Sequence, residues 1–217
     1  MTWTTRAWHA IAPIYDKILN MPFIYELQNG TLPLEIFQFY MLQDAKYLEH
    51  FGRVLAYLGS KSSDNEVAHL YFQFGQNALL VEKALHEHYF EQFGISTTSA
   101  TITQPVCHHY VHFLKSTAAF EATEVGFAAT LPCFWIYKEV GDHIFQNRIT
   151  GENPYHAWIN TYSSAEFGDD VSRAKAHVNK MAADGTEAIR KKMLDAFVTA
   201  SLLEYQFWEA AYLQKTW

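Results

Sequence analysis

Apolar residues along this chain recur at intervals of three and four, with no convincing alternation at two, so the pattern predicts helices throughout. Thr31, with Pro33 at a first helical position, opens a long segment that Gly59 closes. Ser63-x-x-Glu66 reads as a capping box for the next helix, which runs to Gly94. Pro105 starts another, Asn153-Pro154 another, and Ser163-x-x-Glu166 yet another; Asp184-Gly185-Thr186 ends one helix and caps the last. Ile95 to Leu114 lacks acids and bases and reads as a loop entering a helix. With no internal repeat and no low-complexity linker, residues 1–217 are expected to form one all-α domain of helices packed side by side as a bundle.

Two helical faces contain a residue that does not belong to a plain core. Phe37, Tyr40, Met41, Asp44, Tyr47, Leu48, Phe51 and Leu55 share one face, with Asp44 as the misfit. Met193, Leu194, Phe197, Ser201, Glu204, Trp208 and Ala211 share another, with Glu204 as the misfit. Carboxylates are seldom buried alone, so each must meet a hydrogen-bond donor, a cation or a ligand. A structural pairing, with Arg53 or a tyrosine hydroxyl, is the plain alternative to a functional role. Pro132 interrupts a third helix just before Cys133, and a bend there could turn Cys133 and Tyr137 toward the interior. Core filling is the commoner fate of a cysteine in an apolar run, and Cys107 keeps that reading.

The totals narrow the function. The 217 residues carry a formal charge of −7 without a basic cluster, which argues against nucleic acid and anionic membranes as partners. Val125 to Tyr137 is uncharged but too short to span a bilayer, and no signal-like segment follows Met1. Two cysteines make no disulfide framework, so a reducing cytoplasm is the expected compartment. Aromatic residues reach 16%, more than an aliphatic bundle needs, and stacked rings can form a slot for a flat ligand.

The eleven histidines raise the question of a metal. A ferritin-like di-iron site needs two Glu-x-x-His pairs, and only Glu66-x-x-His69 is present. Glu82 and His86 read as a helix-supporting pair, His88 has no obvious carboxylate, and His108-His109-x-x-His112 lacks one as well. No metal and no cofactor is therefore expected. Phosphate-binding loops and serine-hydrolase elbows are missing too. A thiol mechanism fits better: a free cysteine titrates near ~8.5 and needs polar neighbours such as Tyr47 and Asp44. A carboxyl with a raised pKa, Glu204, could then exchange a proton with a ring nitrogen while sulfur adds to a ring carbon.

Four linked motifs carry a resemblance over essentially the whole chain: Gln43-Asp44-x-x-Tyr47-Leu48, Leu131-Pro132-Cys133-x-Trp135-x-Tyr137, Trp158-Ile159-x-x-Tyr162 and Glu204-Tyr205-Gln206-Phe207-Trp208. They resemble the TenA (thiaminase II) family. The resemblance implies a haem-oxygenase-like helical bundle, assembled as a homotetramer, without metal or haem. It implies hydrolysis of aminomethylpyrimidines to ammonia and hydroxymethylpyrimidine in thiamin salvage, and cleavage of thiamin. By position, Cys133 resembles the nucleophile and Glu204 the acid/base, while Asp44 resembles the residue that binds the amino edge of the ring. Tyr47 and Tyr110 would tune the thiol, and Tyr137 and Tyr162 would line the pocket and hold the substrate. Ala45, in place of an aromatic residue, and Ser163-Ser164, in place of a glycine pair, depart from the family pattern and bear on pocket width.

Two rival readings use the same residues. A non-catalytic pyrimidine-binding or regulatory module needs the aromatic slot and Asp44 but not the thiol. An oxidative, PqqC-like relative on the same bundle needs a cofactor contact or axial histidine that these motifs do not supply.

Overall fold

The computed structural model describes residues 1–94, 102–148 and 151–217, and for residues 81–88 the backbone alone. The expected loop from Ile95 therefore lies largely outside the described residues, as do the side chains of the Glu82–His86 pair and His88. The described residues form nine helices and no strand: α1 (Trp3–Leu19), α2 (Pro22–Gln28), α3 (Leu34–Lys61), α4 (Asn65–Gln92), α5 (Pro105–Phe120), α6 (Thr123–Asn147), α7 (His156–Ser163), α8 (Ala165–Asp184) and α9 (Glu187–Tyr212). The all-α expectation is met.

The central helix is α6. Every residue from Val125 to Tyr137 is buried, which explains why that stretch carries no charge: a helix apolar on all sides is surrounded by others. It packs against α7, α8 and α9, with α5 and α3 completing the enclosure, while α3 lies along α4. The sequence led us to expect an interruption at Pro132, but α6 continues through it to Asn147. Packing on every side holds the segment helical despite the missing backbone donor. No described helix is long and apolar enough to cross a membrane.

Several boundaries fall one or two residues from their sequence signals. Pro33 is the N-cap of α3 rather than its first residue. Asp64, not Ser63, caps α4, its carboxylate accepting from the backbone N–H of Glu66 at 2.9 Å. Ser164, not Ser163, caps α8 by accepting from the N–H of Phe167 at 3.2 Å. Gly59 does not close α3, which runs to Lys61. Its missing side chain instead lets α4 approach, because a Cβ there would lie 3.1 Å from the carbonyl oxygen of Ala68. Asn153 does not start a helix either; its buried amide donates to the Leu27 carbonyl at 3.0 Å and ties the segment before α7 to α2. Pro105 and Thr186 stand where expected, Thr186 accepting from the N–H of Ile189.

The N-terminal pair, α1 and α2, had no counterpart in the sequence reading. Its signals are ordinary ones: Thr2 accepts from the N–H of Thr5, and Pro22 occupies the first turn of α2.

Candidate active site

Both misfit carboxylates are inside. Asp44 on α3 is 3% exposed and Glu204 on α9 is 1% exposed, among rings contributed by four helices. Arg53, a candidate partner by sequence, pairs with exposed Glu49 on its own helix and does not compensate Asp44. Glu204 meets a tyrosine from α5: the Tyr110 hydroxyl donates to its Oε1 at 2.6 Å.

Burial dominates the electrostatics. Loss of solvent pushes the Glu204 carboxyl up to about 8; the Tyr110 hydrogen bond opposes the rise, and the nearby Asp44 carboxylate adds to it. Glu204 consequently holds its proton at neutral pH. The Tyr47 and Tyr110 hydroxyls are likewise driven well above the ordinary phenol range, chiefly by burial.

Tyr47 joins the carboxyl to the thiol. Its ring centroid is 4.8 Å from that of Tyr110. On the other side it faces Cys133, whose charge adds to the rise that burial causes in the Tyr47 pKa. Among the described residues the buried Tyr47 hydroxyl has no hydrogen-bond partner. The order Cys133, Tyr47, Tyr110, Glu204 therefore links thiol to carboxyl across α6, α3, α5 and α9.

A second aromatic layer lies beside it. Tyr137 follows Cys133 by one turn of α6, and its ring sits 4.9 Å from that of Tyr162 and 4.8 Å from that of Trp208. Its hydroxyl lies 3.3 Å from that of Tyr40, which accepts a hydrogen bond from the Trp158 indole at 3.2 Å. Asp44, Glu204 and Tyr162 all add to the resistance of Tyr137 to ionisation, which places the four within one electrostatic neighbourhood.

A cavity of about 140 Å³ opens onto this cluster. Spaces of ~150 Å³ inside proteins accommodate a benzene-sized ring. Cys133, 9% exposed, and Tyr162 lie in its wall with Phe51, Phe74, Phe134 and Phe167; Glu166 and Asp170 of α8 stand there too. Of the seven residues singled out by sequence, these two line the free space. Asp44, Tyr47, Tyr110, Tyr137 and Glu204 lie outside that lining, connected to it through Tyr47 and Tyr137.

Phe74, Phe167 and Asp170 were missed, since nothing local distinguishes them from ordinary core or cap positions. The sequence marks Glu166 only as part of a helix-start signal and Ser164 as a departure from the family pattern bearing on pocket width; the cavity lining includes both. Cys107 behaves as expected of a core residue: its thiol is buried, donates to the Gln43 carbonyl at 3.4 Å, and is pushed up to about 12 by loss of solvent.

The molecule is an all-α bundle in which one cysteine lines a ring-sized cavity beside a cluster of tyrosines and two buried acids. Residues 8–215 match the TENA/THI-4/PQQC family, and the chain belongs to it. The aminopyrimidine aminohydrolase of Bacillus subtilis (strain 168) is 33% identical over 211 residues, spanning 96% of this chain and 89% of that protein. The solved structure of a TenA homologue from P. horikoshii OT3 superposes with a TM-score of 0.87 at 28% identity, covering 98% of this chain and 99% of that one. A domain of heme oxygenase-like fold from Shewanella denitrificans OS217 superposes at 0.69 with 14% identity, covering 97% and 92%; that likeness concerns the fold, which is haem-oxygenase-like as expected.

Proposed function

We propose that this chain is an aminopyrimidine aminohydrolase with thiaminase II activity. It would convert 4-amino-5-aminomethyl-2-methylpyrimidine and water to the 5-hydroxymethyl compound and ammonia, and cleave thiamin at the corresponding bond. The observation that carries the reading is the thiol in the wall of a ring-sized cavity, connected through Tyr47 and Tyr110 to a carboxyl that retains its proton at neutral pH. The name of the Bacillus subtilis relative points to the same substrate class.

The chemistry follows from those properties. As the Cys133 sulfur adds to a ring carbon, its proton passes to the substrate's exocyclic amine and the displaced electron pair settles on a ring nitrogen, which takes the Glu204 proton. The electron-rich ring then expels the protonated amine as ammonia from the neighbouring exocyclic carbon. Water adds to that carbon, Glu204 recovers its proton from the ring nitrogen, and sulfur departs with the proton released by water as the aromatic ring is restored. Tyr47 and Tyr110 hold the thiol and the acid in register, and the raised pKa of Glu204 suits both directions of transfer. Asp44, buried beside Glu204 and Tyr137, is assigned to the amino edge of the ring, with Tyr162 holding the substrate from the cavity wall and Tyr137 packed against Tyr162.

The working unit we envisage is the whole chain as a single domain, associated as a homotetramer in the cytoplasm. The test is ammonia release from the aminomethylpyrimidine by the purified protein. Turnover that Cys133→Ser abolishes supports the proposal. No turnover by wild type, or full turnover by the variant, refutes it; equal pyrimidine binding by both without product would favour the non-catalytic module.

A further inference from the structure

The histidine-rich start of α5 plays no part in the chemistry above. Cys107, Tyr110, Val111 and Leu114 form the inward face of this helix, whereas His108 and His112 are exposed on the outside. They stand four residues apart, the spacing that lets two imidazoles on one helical face share a metal ion. Their ring centroids are 4.2 Å apart with planes inclined by 36°, so the two side chains already lie against each other. We propose that His108 and His112 form a chelating pair for a borderline divalent cation of the Zn²⁺ type, with water completing the coordination.

Two features of the surroundings support the pair. The C-terminal residue closes one flank: the Trp217 ring sits edge-on to His108 at 5.7 Å, and its indole donates to the Thr103 carbonyl at 3.0 Å. His50 of α3 is close enough to His112 to feel its charge and leaves a third imidazole nearby. Among the described residues no three His, Cys, Asp or Glu side chains converge into a ready cage, so this is an open, two-donor site of moderate affinity. Lys115 is the opposing charge beside it.

Zn²⁺ titrated calorimetrically into the full chain near neutral pH tests the assignment. Because the chain holds eleven histidines, His109→Ala serves as the neighbouring control. Loss of one of the two protein ligands in His112→Ala should raise the dissociation constant by about tenfold or more, with His109→Ala unchanged. Both substitutions are at exposed positions, and unaltered far-ultraviolet circular dichroism verifies the fold. Undiminished Zn²⁺ affinity in the His108→Ala/His112→Ala double variant overturns the proposal, as does absence of binding to wild type at millimolar Zn²⁺.

Discussion

The Tyr110 hydroxyl donates a 2.6 Å hydrogen bond to Oε1 of Glu204, joining two residues 94 positions apart inside a solvent-free cluster. This contact decides how the carboxyl titrates. Burial raises the Glu204 pKa, and the tyrosine, by stabilising the anion, is what restrains it at about 8.

Tyr110→Phe should therefore move the basic limb of the activity profile. If protonated Glu204 delivers the proton, kcat/KM falls as pH rises through about 8 in wild type, and the variant carries that fall to higher pH. Leaving a buried acceptor without its donor should also lower stability by roughly 1–3 kcal/mol. Initial rates across the alkaline range and denaturant unfolding measure the two effects.

Stability should respond to Glu204 in a defined direction. With a folded pKa of about 8 against an ordinary 4.5, the native state binds more protons than the unfolded state between these values. The contribution is full below about 4.5 and is lost as pH rises toward 8. Glu204→Gln keeps the acceptor for Tyr110 without a charge to bury. We expect the variant to be inactive, yet more resistant to urea than wild type on the alkaline side.

His177 should work from the other end of the scale. Its ring is packed between Tyr71 and Phe127, with Nδ1 3.4 Å from the Tyr71 hydroxyl, and loss of solvent lowers its pKa to about 4. The unfolded chain then binds the extra proton between about 4 and 6.5, so this stability is present above 6.5 and lost as pH falls through that window. Thermal unfolding of wild type beside His177→Phe should show a shallower acid dependence in the variant.

Gly141 is where α7 can sit close to the central helix α6. A Cβ at this position would lie 2.7 Å from the carbonyl carbon of Tyr162 and 2.8 Å from its Cβ. Since both atoms belong to Tyr162 and are held by α7, Gly141→Ala should cost about 1–3 kcal/mol. It should also raise KM by shifting Tyr162 in the cavity wall. Differential scanning calorimetry and steady-state kinetics read these out.

The two cysteines should part company under thiol reagents. Cys107 is sealed in the core with its pKa near 12, while Cys133 opens on the cavity. Cys107→Ala is expected to retain activity, and alkylation of native wild type should track inactivation at one thiol, located by peptide mass spectrometry.

What could be read in one dimension was local or periodic. Spacings of three and four placed α3, α4, α5, α8 and α9, because a helix repeats every 3.6 residues whatever it packs against. The same periodicity exposed Asp44 and Glu204, since a charge on an apolar face is an anomaly visible without a partner. Cap identities slipped by one at Ser63 and Ser163 because adjacent hydroxyl and carboxylate side chains compete for the same backbone N–H groups. Only the folded chain chose Tyr110 rather than Arg53 as the partner of a buried acid, and only it brought α4 and α8 across Cys133 to outline a cavity. Those outcomes depend on which helix faces meet over separations of tens of residues, and burial, which raises the pKa values of Glu204, Tyr47, Tyr110 and Tyr137, comes into being at that meeting.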